Sequence, residues 1–295
     1  MRGFILNNGF YISNSQEYKR NRLKEEFLKC GVEIDLLTST EINFYMENSK
    51  LYIKGIEKYD FCIFLDKDEN LAYAIREFVP VFNSPEALSS CNDKMETYIK
   101  LANSGIVTPK TIPSLLCFNK QPSPEAIEAY LCNVESKLTY PFICKQCYGS
   151  LGLEVYLINN RQELEDIYFR LIKIPHVYQE YIENFKGKDY RVFTVGGKAV
   201  ASMLRQNDND FRSNIFLGGK GHEVTLPQHI LDVAERASQI LKLDYAGCDI
   251  LINKDNQPTL IEVNSNAFLS EIEKVSKVNI TEKLVKHILN QLKSA

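Results

Sequence analysis

Two carboxylates and one amide in the last part of the chain have the types and spacing of metal ligands. Asp249 and Glu262 lie in two apolar segments around a polar turn, a pattern that predicts a β-hairpin. If Asn253 pairs with Pro258, Asp249 lies opposite Glu262, and Asn264 points to the same face. Opposed like charges destabilise a strand pair, whereas Mg²⁺ binds hard oxygen ligands of this kind. The alternative is a register shifted by one residue, with both acids in solvent at a sheet edge.

A lysine and a glycine-containing loop form a candidate phosphate site. Lys145 ends a predicted strand, and Gly149-Ser150-Leu151-Gly152 leads to the next one. Backbone N–H groups of such a loop can approach phosphate oxygens, with the lysine as a point charge. The loop is not a Walker A or kinase sequence, and glycines in a hairpin are often turn residues only. Lys94, after Asn92-Asp93 at a helix start, is a second candidate or a solvated surface lysine.

Arg205 and Arg212 are candidates for stabilising developing negative charge. Arg212 lies in a polar loop with Ser213 and Asn214, followed by Gly218-Gly219. Beside a metal and a phosphate cradle, arginines stabilise a transferring phosphoryl group or a tetrahedral oxyanion. Taken alone, each of them is an ordinary surface cation.

The cysteines and histidines receive no chemical role. Cys144 and Cys147 form a C-x-x-C sequence, but no second such pair or histidine pair stands at zinc spacing. The chain has eight cysteines at irregular spacing, which predicts reduced thiols. Its four histidines form no triad with a serine or cysteine that spacing can identify.

Composition narrows the class of protein. The 295 residues are 44% hydrophobic and 25% charged, which is ordinary for a soluble globular chain. Lys and Arg number 35 against 38 Asp and Glu, and this balance argues against binding to nucleic acid or to a membrane surface. No apolar run approaches the ~20 residues of a spanning helix, and the N-terminus turns polar too early for a signal peptide. We therefore expect a cytoplasmic protein.

The chain must position these residues with two kinds of architecture. Strands alternating with helices over residues 1–90 predict a small doubly wound α/β domain. Its predicted strands are 3–6, 32–37, 59–65 and 79–83, and its predicted helices are 15–30 and 66–78. A helix is expected at 91–103, and residues 114–140 carry linker signals, among them Gln121-Pro122-Ser123-Pro124, followed by a predicted helix.

Beyond residue 141, strands with tight turns predict an α+β arrangement. The expected strands are 142–145, 154–158, 177–182, 190–195 and 199–205, and the expected helices are 161–172 and 227–241. A hairpin at 248–264 and a helix from about residue 281 complete the chain.

Taken in order, these segments resemble the ATP-grasp superfamily, and within it the RimK-type (alpha-L-glutamate ligase-like) carboxylate–amine ligases. Six motifs carry the resemblance: Asn92-Asp93-Lys94 with Thr97, Gly105 to Thr111, Pro141 to Gly152, Gln179 to Ile182 with Asp189-Tyr190-Arg191, Asp210 to Asn214 with Gly218-Gly219, and Asp244 to Asp249 with Ile261 to Ser265. The resemblance runs from Asn83 to the last helix. It implies a domain of pre-ATP-grasp type at 1–90 and two ATP-grasp subdomains, the central one with the phosphate loop at 91–176 and the C-terminal one with the metal site at 177–295.

The resemblance also implies roles for individual residues. Lys94 and Lys145 would hold the phosphates of ATP with the loop residues Gly149, Ser150 and Gly152. Glu180 would read the adenine amino group beside the backbone of Tyr181 and Ile182, and Asp189 would bind ribose. Asp249, Glu262 and Asn264 would hold two Mg²⁺ ions, with Mn²⁺ as a substitute. Arg212, Ser213 and Asn214 would border the triphosphate, and Arg205 and Arg212 would be the catalytic cations, with Arg205 steadying an acyl phosphate.

The implied activity is a ligation that activates a carboxylate as an acyl phosphate and couples it to an amine, releasing ADP and phosphate. The amine would belong to an amino acid, a peptide or a protein terminus, and a homo-oligomer is plausible by resemblance alone. Leu153-Glu154-Val155 replaces a glycine usual in the family, and Ser265-Asn266-Ala267 replaces a Ser-Pro-Gly-like turn. These differences leave the amino acid that is joined open. The alternatives are a small-molecule kinase on the same fold and a non-catalytic ATP-binding module.

Overall fold

The first part of the chain forms a parallel sheet with helices on both faces. In the computed structural model, which describes residues 1–119 and 122–294, the strand order is β2-β1-β5-β6. The elements are β1 (Arg2–Asn7), α1 (Asn14–Lys29), β2 (Glu33–Thr38), β3 (Phe44–Glu47), β4 (Lys50–Ile53), β5 (Phe61–Phe64), α2 (Glu69–Arg76) and β6 (Val81–Phe82). Strand β1 lies between β2 and β5, so the chain winds in opposite directions from the centre. This confirms the doubly wound prediction.

Alternate residues of β1 explain why both faces are covered. Ile5 packs with Leu23 and Phe27 of α1, whereas Phe4 packs with Leu71 and Ile75 of α2. The hairpin β3–β4 was not predicted, since its exposed strands lack the alternating apolar pattern on which strand prediction depends.

A second, antiparallel sheet has the order β7-β10-β8-β9. Its segment contains α3 (Pro85–Asn92), α4 (Lys94–Leu101), β7 (Thr111–Pro113), α5 (Pro124–Lys137), β8 (Phe142–Gln146), β9 (Val155–Ile158), α6 (Arg161–Leu171) and β10 (His176–Glu180). One helix was predicted from residue 91, but the structure has two, α3 and α4, which are separated at Asp93. The Asp93 side chain accepts hydrogen bonds from the N–H groups of Met95 and Glu96 at the start of α4. Of the predicted linker, Gln121 lies outside the described residues.

The third sheet has the order β13-β12-β11-β14-β15. Its elements are β11 (Lys188–Val195), β12 (Lys198–Gln206), β13 (Lys220–Glu223), α7 (Gln228–Ile240), β14 (Tyr245–Ile252), β15 (Pro258–Asn264), α8 (Ser270–Ser276) and α9 (Ile280–Ser294). Strand β7, strand β13 and helix α8 were not predicted; each spans seven residues or fewer, too short for periodicity to identify. In the part of the chain that the structure describes, no helix is long and apolar enough to cross a membrane.

The first and third sheets are joined through a shared core and through Asn83. Residues of α1, β1 and β5 pack with residues of β11, α8 and α9 in one apolar cluster. Asn83 is fully buried; its amide group donates to the carbonyls of Tyr245 and Ser265 (2.9 Å each) and accepts from Asp244 N–H (2.6 Å). These bonds fix the first sheet close to the end of β15.

Candidate functional site

The predicted site residues meet in one cleft between the second and third sheets, with an empty volume of about 940 Å³ up to its open mouth. The cleft is lined by the predicted residues Lys94, Lys145, Gly149, Ser150, Gly152, Glu180, Tyr181, Ile182, Asp189, Arg205, Arg212, Ser213, Asn214, Asp249 and Glu262. Asn264 is the one predicted residue that does not line it. The size and concave shape are those of a small-molecule site.

Asp249 and Glu262 are opposite each other on neighbouring strands, as predicted. The predicted register beside the turn was wrong, because Ile252, not Asn253, pairs with Pro258. An extra residue in β15 between Leu260 and Glu262 forms a bulge and shifts the register back by one. Bulges of this kind re-aim side chains beside active sites.

Charged residues continue across the sheet as a ladder of cross-strand partners. Asp189 faces Arg205 on β12, and Arg191 faces Asp249, which in turn faces Glu262. Asp189 and Asp249 therefore each lie beside an arginine, whereas Glu262 faces a second acid across the strands. Arg191 belongs to a motif of the sequence that predicts no role for it; only the register of β11 against β14 reveals one.

Asp249 is held by two arginines. Its Oδ2 accepts from Arg191 Nη2 at 2.8 Å and lies 2.7 Å from Arg205 Nη2, while Arg191 Nε bonds Oδ1. Arg205 also forms a bidentate pair with Asp189 (2.6 and 2.5 Å), and Ser213 Oγ donates to the same carboxylate. Burial alone would lower the pKa of Arg205, but the two carboxylates raise it well above its ordinary value.

Glu262 has different partners and more exposure. Its side chain is 24% exposed, and its Oε1 lies 3.2 Å from Lys94 Nζ. Lys94 also donates to the carbonyl of Gly149 at 2.8 Å and so links the acid to the phosphate loop. Burial alone would raise the pKa of Glu262, but Lys94, Lys145 and Arg191 outweigh it and lower the pKa to about 2. Glu262 is therefore ionised at neutral pH.

Lys145 lies at the same end of the cleft, projecting from β8. Its Nζ donates to Tyr98 Oη at 3.2 Å and to the carbonyl of Ile261 at 3.1 Å. Burial lowers the pKa of this lysine to about 8. Tyr98 was not predicted; it lies one residue after Thr97 of the quoted motif, and its own Oη donates to Ile261 O at 2.5 Å.

The phosphate loop is shaped by left-handed backbone and held by two predicted residues. Leu151 and Gly152 have φ of 62° and 77°. Arg212 Nη1 donates to the carbonyl of Gly152 at 2.7 Å, and a Cβ at Gly152 would lie 2.6 Å from Asn214 Oδ1. A larger residue at this position would displace the loop. Glu154 also lines the cleft.

The opposite end of the cleft is the hinge at the end of β10. Glu180 is exposed, and its N–H donates a hydrogen bond to the carbonyl of Lys110 at 3.0 Å. In return, the N–H of Lys110 donates to Oε2 of Glu180 at 3.3 Å. Tyr181 packs edge-on against Phe211 with ring centroids 6.2 Å apart. Apolar residues that sequence analysis did not identify line the cleft between the sheets, namely Ile143, Val155, Phe185 and Leu251.

The donor set fits Mg²⁺ bound together with a polyphosphate. Among the described residues, no group of three or more His, Cys, Asp or Glu could hold a metal ion. Mg²⁺ usually takes one or two carboxylates and fills the rest with phosphate oxygens and water. Glu262 offers such a carboxylate and Asn264 an amide oxygen; the buried Nδ2 of Asn264, which has no hydrogen-bond partner among the described residues, is a hydrogen-bond donor and not a metal ligand. Both oxygens of Asp249 already bond arginines, which makes Glu262 the more available ligand.

The chain belongs to the RimK-like ATP-grasp family, whose model matches residues 91–288. A probable alpha-L-glutamate ligase from Enterobacter sp. (strain 638) is 30% identical, covering 92% of this chain and 91% of the relative. Together the family and this relative place the chain among ATP-dependent ligases that join a carboxylate to an amine.

Solved structures share the whole fold at low sequence identity. A D-alanine–D-alanine ligase from Bacillus anthracis complexed with ATP has a TM-score of 0.70 at 18% identity, covering 100% of this chain and 98% of that one. The ATP-grasp ligase PsnB, complexed with a minimal precursor, Mg and ADP, has a TM-score of 0.66 at 16% identity, covering 99% and 98%. The mixed α/β and α+β architecture is thus that of the ATP-grasp fold.

Proposed function

We propose that the cleft binds ATP with the adenine at Glu180–Ile182 and the triphosphate between Lys94, Lys145 and the loop Gly149–Gly152. A substrate carboxylate attacks the γ-phosphate and forms an acyl phosphate with release of ADP. An amine then attacks the acyl carbon and displaces phosphate, which yields an amide. The observation that supports this most strongly is the Asp249–Glu262 pair at the lysine-bearing end of the cleft.

The proposed roles follow from the partners that each residue has. Lys94 can exchange its bonds to Glu262 and Gly149 for phosphate oxygens. Lys145 is buried, so its charge acts in a medium where electrostatic attraction is stronger than in water. Asp189 would meet ribose, and Arg205, which it orients, would steady the acyl phosphate. Arg212 would act with Ser213 and Asn214 in holding the phosphate loop over the nucleotide.

Magnesium is proposed to bind at Glu262, Asp249 and Asn264, as two ions for which Mn²⁺ can substitute. When bound, it would neutralise phosphate charge and orient the phosphates for transfer. The chain's own contribution is to keep Glu262 ionised, through Lys94, Lys145 and Arg191, over the whole neutral range.

The substrates are proposed to be a small carboxylic acid and an amino acid or peptide amine. L-Glutamate is the first amino acid to test, because the Enterobacter relative carries the name of a glutamate ligase. A protein terminus, a homo-oligomer and a cytoplasmic location belong to the same proposal, whereas nucleic acid and membrane are not proposed partners. We also propose the division into 1–90, 91–176 and 177–295, although β10, at the start of the third range, pairs with β8 of the second sheet.

Trapping with hydroxylamine tests the acyl phosphate. The protein is incubated with Mg-ATP, hydroxylamine and a pool of carboxylic acids, amino acids and short peptides, and hydroxamates are measured by mass spectrometry. We expect an ATP-dependent hydroxamate with the wild type and with Asp255→Asn, an exposed acid in the turn of the same hairpin, but not with Glu262→Gln. A stable phosphorylated alcohol in place of a hydroxamate would show that the protein is a kinase and not a ligase.

A further inference from the structure

Lys67 lies at the carboxyl edge of the first sheet, just after β5. Strands β1 and β5 are neighbours from which the chain continues in opposite directions, to β2 and to β6. In open α/β sheets, such a switch point leaves a crevice in which ligands bind. Asn8 and Asp66 follow the two strands there, and Asn8 Nδ2 lies 3.3 Å from both Asp66 oxygens.

Hydrogen bonds fix the backbone around Lys67 to both sides of the nucleotide cleft. Asn266, just beyond β15, donates its Nδ2 to the carbonyl of Leu65 at 2.8 Å. Asn92, two residues before Lys94, donates its Nδ2 to the carbonyl of Lys67 at 3.4 Å. Lys67 therefore lies next to the elements that carry Glu262 and Lys94.

The side chain of Lys67 is unlike those of the other lysines around the cleft. Lys94 and Lys145 are buried and hydrogen-bonded. Lys67 is exposed, and its Nζ has no hydrogen bond or ion pair within the described ranges. Desolvation by the surrounding protein and the charge of Lys94 lower its pKa, and Glu262 opposes them. An exposed ammonium group whose backbone is bonded beside Lys94, and whose pKa responds to both Lys94 and Glu262, is placed to bind an anion at this end of the cleft.

The order of residues along the cleft indicates which ligand this is. The hinge at Glu180 is at one end, and Lys94 with Glu262 is at the other. Lys67 does not line the nucleotide cleft, but its carbonyl accepts from Asn92, two residues before Lys94, so it lies on the side of the Lys94–Glu262 end. A nucleophile that attacks a terminal phosphate in line must approach from the side opposite the leaving ADP.

We propose that Lys67 binds a carboxylate of the acid substrate at the Lys94–Glu262 end of the cleft. The inference rests on the proposed ligase function and adds a specificity-determining residue to it. The ammonium group offsets the repulsion between the substrate anion and the triphosphate. A triphosphate oxygen is the other anion that could meet Lys67, and the kinetics separate the two.

The test uses whichever acid of the hydroxylamine assay gives the most hydroxamate. For Lys67→Met we expect the KM for this acid to rise about 10- to 100-fold, since hydrogen bonds between charged groups contribute that much. The KM for ATP should change less than about twofold, and Lys67→Arg should recover part of the loss. Lys50→Met, an exposed lysine of β4 in the same part of the chain, is the matched control.

Three results would contradict the proposal. An unchanged KM for the acid in Lys67→Met overturns it and leaves the ligase function intact. A parallel rise in the KM for ATP assigns Lys67 to the triphosphate. No hydroxamate with the wild type overturns the ligase function and with it this inference.

A labelling experiment gives a readout that does not depend on turnover. Trinitrobenzenesulfonate modifies accessible lysines, and peptide mapping follows Lys67 and Lys50 separately in the protein saturated with Mg-ADP. The active acid should slow modification of Lys67 and not of Lys50. Equal rates with and without the acid would show that the acid does not cover Lys67.

Discussion

The two walls of the cleft differ in the chemical groups that form them. The strand wall, Asp189, Arg191, Arg205, Asp249 and Glu262, consists of side chains paired across neighbouring strands. The loop wall, Lys94, Gly149–Gly152 and Arg212–Asn214, depends on backbone carbonyls and left-handed conformations. The charges of the first wall are paired with one another in the structure, and in the proposed function the second wall would exchange its internal bonds for bonds to a nucleotide. The proposal thus assigns preorganised charge and adjustable contacts to separate parts of the chain.

The difference between the walls also appears within one pair of carboxylates. Asp249 is 2% exposed and bonded to two arginines, whereas Glu262 faces the loop wall through Lys94. We therefore expect Glu262 to act on the ligand and Asp249 to maintain the wall. The predictions below separate these functions.

Glu262→Gln should have the largest effect. The substitution keeps the shape of the side chain but removes the charge that would hold a metal ion, and we expect turnover to fall about 10³-fold or more. Steady-state ADP release measures the loss, and circular dichroism checks the fold. Turnover within about threefold of the wild type would remove Glu262 from the metal site.

Arg191→Met should destabilise the protein more than it changes nucleotide affinity. Removing one partner of a buried ion pair leaves Asp249 undercompensated and costs about 3–5 kcal/mol of the free energy of unfolding. Lys198→Met, which breaks the exposed pair with Glu235, should leave the free energy of unfolding nearly unchanged. Urea unfolding compares the two variants; equal effects would contradict a preorganised strand wall.

Lys145→Met should alter how stability depends on pH. The pKa of this lysine is about 8 in the folded protein because burial lowers it from 10.5. The unfolded chain therefore binds more protons between these values, and the free energy of unfolding rises with pH across this window, by about 3 kcal/mol in total. Other buried groups that titrate in this range, such as Lys19 and Cys62, contribute equally to both proteins, so urea unfolding from pH 7 to 10 should show the difference between the wild type and Lys145→Met changing by this amount. Parallel curves would show that the pKa of Lys145 is not lowered in the folded protein.

Gly152→Ala should have a small effect on stability but a specific effect on nucleotide binding. Gly152 and Gly31 both have positive φ, so alanine should cost about 1 kcal/mol at either position. Only at Gly152 would the new Cβ meet Asn214; at Gly31 it meets nothing within 4 Å. We expect the Kd for ATP to rise about tenfold in Gly152→Ala and to stay unchanged in Gly31→Ala. An equal Kd in both would show that the loop wall tolerates displacement.

The sequence predicted one pair of the strand wall, Asp249 and Glu262, for a physical reason. Cross-strand pairing depends on period-two alternation, so the residues around the hairpin turn were enough to oppose Asp249 and Glu262. The bulge at Ile261 could not be foreseen, and two errors of one residue cancelled. The pairing of Arg191 with Asp249 could not be predicted either, since their strands are distant in sequence and no turn fixes their register.

The sequence predicted which residues form the loop wall but not the contacts between them. Glycines indicated the phosphate loop, yet the bond from Arg212 to Gly152 joins residues sixty positions apart. The position of Lys67 could not be predicted either, because hydrogen bonds from residues distant in sequence, Asn266 after β15 and Asn92 at the end of α3, bring it near the cleft.

Isotope transfer tests the central claim most directly. The pool of acids is labelled with ¹⁸O in its carboxylates, and products formed from Mg-ATP and unlabelled amines are followed by ³¹P NMR. Attack of a carboxylate oxygen on the γ-phosphate, followed by amide formation, predicts ADP and inorganic phosphate whose signal is shifted by one ¹⁸O atom. Unlabelled phosphate, a phosphorylated organic product, or AMP with pyrophosphate would each contradict a ligase that works through an acyl phosphate.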